Sequence, residues 1–318
     1  MENKDFIPSI PGGLPHLPDN RDIPLSAFQP ITAIPPSYFT DISSLPVNNQ
    51  NQIGSCVGQA SSVLKEQQEV DEHVHFINLA ARWIYAQCKK IDNYSGQGTY
   101  VQTALKVLQD MGVCYEYQFP NDGIISDHAK YIDLSEANYD ASETASHAKI
   151  KSYAFVSPLT WDGIKQAIYN NKTIVLAMAG SNDGWRQQPI LPPNPVAWYH
   201  AVVAYGFDEN FIYFRNSWSQ YWGDNGNGKF GQDYLPFISV AATAVDVPDS
   251  LLDPLKVLKW IIKDGEQFVV GKDSKKYHIY NLATLTALRA LGVITGDAPV
   301  PDVGEMESGQ ELVILTQE

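Results

Sequence analysis

Cys56, His200 and Asn216 are the side chains of this chain whose types and surroundings suit covalent chemistry. Cys56 ends a loop over 46–55 and opens a stretch in which Val57, Ala60, Val63 and Leu64 recur at helical spacing, with Lys65, Glu66, Gln68 and Glu69 on the polar side. A thiol in the first turn of a helix faces unpaired N–H groups and the positive end of the macrodipole, both of which favour the thiolate. His200 enters a β-rich run over 198–208, and Asn216 follows a second run, Phe211-Ile212-Tyr213-Phe214-Arg215. Asp208-Glu209-Asn210 makes the turn between them, so antiparallel pairing sets His200 and Asn216 side by side near one end of a hairpin. There the imidazole can take the thiol proton and return it to a leaving amine, while the carboxamide holds the ring's tautomer and angle. A lone cysteine more often packs as a small hydrophobe, and a lone histidine more often sits satisfied at a strand end. The conjunction carries the reading.

The loop Pro46-Val47-Asn48-Asn49-Gln50-Asn51-Gln52-Ile53-Gly54-Ser55-Cys56 resembles, without a gap, the active-site segment of papain-family cysteine peptidases. The resemblance implies that Gln50, six residues before Cys56, supplies a side-chain amide to an oxyanion hole. Two departures stand out: Ile53 replaces a disulfide cysteine, and Val57 replaces an aromatic of the cleft wall. Bacterial-type members without the usual disulfides often lack both the cysteine and the aromatic. His200-Ala201-Val202 and Asn216-Ser217-Trp218 also match the family, as does Trp222-Gly223-Asp224-Asn225-Gly226. His200 falls within the family's range of about 130–150 residues beyond the nucleophile. By the same resemblance Trp218 covers the Asn216–His200 hydrogen bond from water. Gly98-Thr99 takes the place of a glycine pair whose main chain binds extended peptide like an added strand. Trp198 and Tyr199 are expected to wall the cleft.

The elements that must position these groups can be read along the chain. Residues 1–33 hold prolines at 8, 11, 15, 18, 24 and 30, too many missing N–H donors for a helix or a central strand. They form an extended strap or a short prosegment, and the hypothesis is that it packs along the cleft and limits access. Leu17-Pro18-Asp19-Asn20-Arg21-Asp22 resembles the stretch before the catalytic domain of bacterial members, and Ile34-Pro35-Pro36-Ser37-Tyr38-Phe39-Thr40-Asp41 the start of that domain. A second helix is expected around 79–86, with Cys88 inward, and a third from Val101 to Met111, closed by Gly112. Cys114 reads as structural. Residues 121–160 read as a long polar surface loop in which neither His128 nor His147 has a companion that would make it catalytic. A short helix over 164–170, a buried strand over 173–178 and a Pro-rich loop over 181–195 follow. Beyond Val247 the composition changes. A hairpin is expected around Lys263-Asp264-Gly265-Glu266, then a strand at 277–280, a helix from Asn281 to Leu291 and a strand at 311–315.

Composition narrows the function classes. At 318 residues and 44% hydrophobic, the chain can bury a large core and one smaller unit. A net charge of −14 argues against binding the nucleic-acid backbone, which needs clustered Lys and Arg. Three cysteines cannot all pair and lack zinc-site spacing, and the alternating His73 and His75 have no third ligand nearby, so no metal or cofactor is expected. No stretch reaches the length of a membrane span and no export signal opens the sequence, which fits a cytosolic protein or one already trimmed.

The expected fold is α+β, a papain-like two-lobed fold with a helical lobe and an antiparallel β-barrel-like lobe over 34–247, followed by a small α+β appendage over 248–318 without a catalytic constellation. That appendage could contact a surface or partner. The expected function is peptide-bond hydrolysis by Cys56, His200, Asn216 and Gln50 through a thioester, with 1–33 making a zymogen. A binding protein on the same fold, or an acyl transferase or amidase, are the alternatives.

Overall fold

Loop turns to helix at Cys56, the first residue of α1 (Cys56–His73). The computed structural model describes residues 12–16, 22–27, 33–73, 77–121, 123–246, 259–263, 266–270, 276–278 and 300–301. They fall in two units that divide between Pro248 and Asp249. In the first unit, α2 (Ala81–Ile91) and α3 (Val101–Asp110) pack on α1. The approach of α2 depends on Gly58, where an added Cβ would lie 2.7 Å from the Ala81 carbonyl oxygen. Gly112, at φ +77°, ends the α3 turn as expected.

The polar side of α1 departs from expectation. Lys65, Glu66 and Glu69 are buried along with the apolar stripe, because strands of the second lobe cover that side of the helix. Each of these side chains has at least one polar partner. Lys65 pairs with Glu69 one turn on, Glu66 Oε1 accepts the Leu79 N–H at 3.0 Å, and Gln68 Nε2 donates to Ala244 O at 2.8 Å.

Residues 121–160 are also more ordered than a surface loop. They hold α4 (His128–Tyr131), a 3-10 turn at Leu134–Glu136 and α5 (Ala141–His147). Asp127 and Asp133 cap the first two through their side chains. The organiser is remote in sequence: the buried guanidinium of Arg82 on α2 donates to Tyr131 O at 2.8 Å and to Glu136 Oε2 at 2.6 Å. Strands β1 (Tyr38–Phe39), β2 (Ile150–Phe155), β3 (Ile174–Gly180), β4 (Trp198–Phe207), β5 (Phe211–Arg215), β6 (Asn227–Gly231) and β7 (Ile238–Asp246) form one antiparallel sheet. Its order is β2-β7-β3-β4-β5-β6, with β1 also paired to β4. Helix α6 (Trp161–Asn171) packs against it, and a short α7 (Asn182–Trp185) interrupts the Pro-rich loop. The core of this lobe gathers Trp161, Leu176, Met178, Trp185, Phe214 and Trp218.

In the second unit, β8 (Lys259–Lys263) and β9 (Glu266–Val270) form the expected hairpin, with β10 (Lys276–His278) on β9. A further strand, β11 (Val300–Pro301), runs parallel to β8. Parallel partners need a long crossover, which local pattern does not signal. The expected helix over 281–291 and strand over 311–315 lie outside the described residues, as does His75.

Burial pushes the Glu66 carboxyl up to about 8, against the lowering effect of the Leu79 N–H. The unfolded chain releases this proton near the ordinary value of 4.5 and the folded chain keeps it until about 8, so stability is full at low pH and declines as pH rises through that window. Glu66→Gln keeps the acceptor for Leu79. It is expected to leave the calorimetric melting midpoint unchanged near pH 4 and to raise it by roughly 5 °C at pH 8; equal midpoints at both would count against a neutral carboxyl.

Candidate active site

The structure brings the four residues Cys56, His200, Asn216 and Gln50 to one place from four segments. Cys56 is fully buried at the start of α1, where the N–H groups of Ala201 on β4, of Val57 and of Cys56 itself lie close enough to the thiol to lower its pKa. Ala201 follows His200, so the helix start and the histidine strand meet at the sulfur. Burial is the dominant influence and pushes the thiol up to about 12 despite these N–H groups.

His200 is the third residue of β4, paired in register with Met178 of β3. Asn216 lies one residue beyond β5. The two hydrogen-bond at 2.7 Å through His200 Nε2 and Asn216 Oδ1, and Asn216 Oδ1 also accepts the Ser217 N–H at 2.8 Å. Trp218 lies over the imidazole at 4.6 Å between ring centres, and Trp185 meets it edge-on at 5.3 Å. Both indoles are buried, so this hydrogen bond is dry. Trp185, on α7, was not singled out from the sequence. Its signal there is a large aromatic in a polar, Pro-rich loop; it is anchored by its indole N–H to Tyr234 Oη at 2.8 Å. Trp198 packs on Trp185 and Trp218 and donates to Asn182 Oδ1 at 2.8 Å, so its ring backs the histidine cluster.

Gln50 is held across the junction of the lobes. Its backbone N–H donates to Ser217 O at 2.9 Å, its Oε1 accepts the Ser217 hydroxyl at 2.7 Å, and one Nε2 hydrogen goes to Ile53 O at 2.8 Å. An isolated bridge between Asn49 and Trp218 and the Ser219 N–H to Asn48 O bond, 3.0 Å, reinforce the junction.

Gly98, Thr99 and Tyr199 meet around residues 12–14. The Thr99 N–H donates to Gly12 O and the Leu14 N–H to Thr99 O, both at 3.0 Å, while the Gly13 N–H donates to Tyr199 O at 3.1 Å. The strap therefore passes between the Gly98–Thr99 segment of the helical lobe and the Tyr199–His200 segment of β4. The passage admits no side chain. A Cβ on Gly12 would lie 2.1 Å from Gly54 O, and one on Gly13 would lie 2.7 Å from the His200 carbonyl carbon. Farther along, His16 Nε2 meets Asp22 Oδ2 at 2.9 Å, Gln102 donates to Asp22 Oδ1 at 3.0 Å, and the Phe155 N–H of β2 donates to Ile23 O at 2.9 Å. Cys88 and Cys114 are buried free thiols, Cys88 beside the Thr99 side chain. Among the described residues no three His, Cys, Asp or Glu side chains cluster as a metal site, and no helix is long and apolar enough to cross a membrane.

A helical lobe and an antiparallel sheet lobe meeting at a cysteine, a histidine and an asparagine define a cysteine-protease architecture. Residues 40–243 match the model of the papain family of cysteine proteases, and the chain belongs to that family. It is 26% identical over 183 residues to papain of Carica papaya, covering 57% of this chain and 50% of that protein. It is also 26% identical over 203 residues to Peptidase 1 of Euroglyphus maynei, covering 58% and 56%. The chain thus spans about half the length of these curated relatives. Among solved structures, the fold is similar to xylellain, a cysteine protease from Xylella fastidiosa, with a TM-score of 0.65 at 22% identity over 74% of this chain and 96% of that one. It is similar too to the Carica candamarcensis protease CMS1MS2 in complex with E-64, with a TM-score of 0.54 at 18% identity over 67% and 99%.

If the strap is seated by its glycines, Gly13→Ala forces it off the His200 backbone. Alkylation of Cys56 by iodoacetamide at pH 7.5, followed by mass spectrometry, is expected to run roughly tenfold faster than in the wild type. An unchanged rate would mean that the strap does not shield the sulfur.

Proposed function

We propose that this chain is a peptidase of the Cys–His–Asn type, held latent by its own N-terminal strap. The observation that carries the reading is the dry 2.7 Å bond between His200 Nε2 and Asn216 Oδ1, beside a strand whose next N–H reaches the Cys56 thiol. Asn216 would set the imidazole so that Nδ1 exchanges a proton with the sulfur. The thiolate then attacks the peptide carbonyl carbon, and the carbonyl π electrons move to oxygen. The Cys56 N–H and the Gln50 side-chain amide stabilise that oxyanion. Collapse expels the amine, which takes its proton from His200, and leaves a thioester on Cys56. His200 next deprotonates a water that attacks the thioester; the acid departs and the thiol is restored.

The strap supports latency because it already uses the main-chain groups an extended peptide would use: Thr99 N–H, Thr99 C=O and Tyr199 C=O. With the strap in place Cys56 is fully buried, and burial raises the pKa of its thiol. Removing the strap would hydrate the thiol and lower its pKa toward the range in which His200 can ionise it.

Hydrolysis of a peptide library tests the reading. Cys56→Ala is expected to abolish both turnover and labelling by the epoxide E-64. Gln50→Ala should lower kcat by about 10²–10³ with a smaller change in KM. Removing residues 1–33 should raise the initial rate at least tenfold; turnover that survives in Cys56→Ala places the chemistry elsewhere, and an unchanged rate without the strap removes the inhibitory role.

A further inference from the structure

The strap and any extended substrate would share one docking edge, the N–H and C=O of Thr99, and that edge is itself built. The Gly98 carbonyl and the Thr99 N–H belong to one trans, planar peptide unit, so they point in opposite directions. Lys89 Nζ, on α2, donates to that Gly98 carbonyl at 3.0 Å, and the Thr99 N–H on the other side meets Gly12 O. The preceding peptide unit is pinned as well, since the Gly98 N–H donates to Tyr85 Oη at 2.9 Å. Tyr85 in turn lies 3.0 Å from His128 Nε2 on α4. With the tyrosine proton given to His128, both lone pairs of Oη are open to the Gly98 N–H.

None of these three side chains is a surface accident. Tyr85 is fully buried, its ring set edge-on to Tyr131 at 5.8 Å, and α2 comes close enough to α1 for this only because residue 58 is glycine. Lys89 has three protons and three kinds of acceptor: Gly98 O, Tyr94 O at 2.7 Å and Asp92 Oδ2 at 3.0 Å. An ammonium on the carbonyl of a peptide unit also polarises its N–H, which strengthens the bond made on the opposite side. Gly98 itself has φ +103°, a conformation a side chain would strain, so the segment takes this path only when held.

We propose that Lys89 and Tyr85, the latter oriented by His128, are positioning residues that aim the Thr99 edge into the cleft, so that strap closure and substrate main-chain binding are set by the same clamp. This rests on the peptidase reading above. None of the three would touch the reacting atoms.

The experiment uses the full chain, with Tyr85→Phe, Lys89→Met and His128→Gln. The first readout is alkylation of Cys56 by iodoacetamide, which needs neither turnover nor main-chain pairing. Tyr85→Phe and Lys89→Met loosen the strap and are expected to speed it about fivefold. The second readout is kcat/KM for an extended peptide amide divided by kcat/KM for a single-residue ester too short to reach Thr99. Strap occupancy scales both terms alike and cancels, so a roughly tenfold fall in this ratio reports the edge alone. His128→Gln keeps an acceptor for the tyrosine proton and is expected to stay within twofold of wild type in both readouts. Either readout left unchanged by Tyr85→Phe and Lys89→Met overturns the proposal. A wild type that hydrolyses neither substrate after strap removal would instead sink the peptidase reading, with alkylation still reporting on the clamp.

Discussion

An imidazole taken wholly out of water must find its hydrogen bonds in the protein, and His200 finds one in the Asn216 side chain at 2.7 Å. Much of the first unit can be read as what that bond requires. The β4–β5 pairing brings the two residues together, with a register shift between Ala204 and Gly206. The reversal between the strands is held by Asp208, whose Oδ1 accepts the N–H groups of Asn210 and Phe211 at 2.8 and 2.7 Å. Trp218 and Trp185 close the pocket around the ring. In so dry a place a correctly aimed bond is stronger and a missing one costlier than in water, so register errors here would be heavily penalised.

Bringing Cys56 to that histidine is a separate problem, because the sulfur belongs to the other lobe. The junction is solved mostly by main chain: Gln50 N–H to Ser217 O, Ser219 N–H to Asn48 O, and the Asn49–Trp218 bridge. The loop leading into α1 is thereby bonded directly to the segment that follows β5. Side chains add to this junction through Ser217 and Gln50. The same dryness has a second consequence at the sulfur, where burial outweighs three N–H contacts and holds the proton on. A helix start alone therefore does not lower the pKa of a thiol in so dry a place.

The sequence was legible where the signal is local or where residue types converge. Cys56 at a loop-to-helix boundary, the β4–β5 hairpin around Asp208, the end of α3 at Gly112 and the β8–β9 hairpin all follow from short-range pattern. What could not be read depends on groups far apart in the chain. Lys65, Glu66 and Glu69 look like a solvated helix face until another lobe covers them. The 121–160 stretch looks irregular because its organiser, Arg82, lies on α2. The contact of His128 with Tyr85 is hidden for the same reason, since Tyr85 also lies on α2. The prolines of the strap leave room, among its described residues, only for a 3-10 turn at Leu25–Ala27 rather than a longer helix, but they do not reveal that Gly12 and Gly13 are the residues that fit between the lobes.

Gly98-Thr99 shows how residue type and residue role separate. Aligned against a glycine pair, the threonine looks like a loss of main-chain access. The strained conformation and the close approach fall on Gly98, where an added Cβ would lie 2.6 Å from Gly12 O. Thr99 has its side chain buried and still offers both its N–H and its C=O to the strap. One glycine is enough for extended chain to dock here, provided the peptide unit between residues 98 and 99 is held at the right angle. The positive φ that only glycine tolerates easily is also a conformation glycine has no intrinsic reason to keep. The hydrogen bonds from Lys89 and to Tyr85 supply that reason, so the permissiveness of one residue and the rigidity of α2 together make a defined edge.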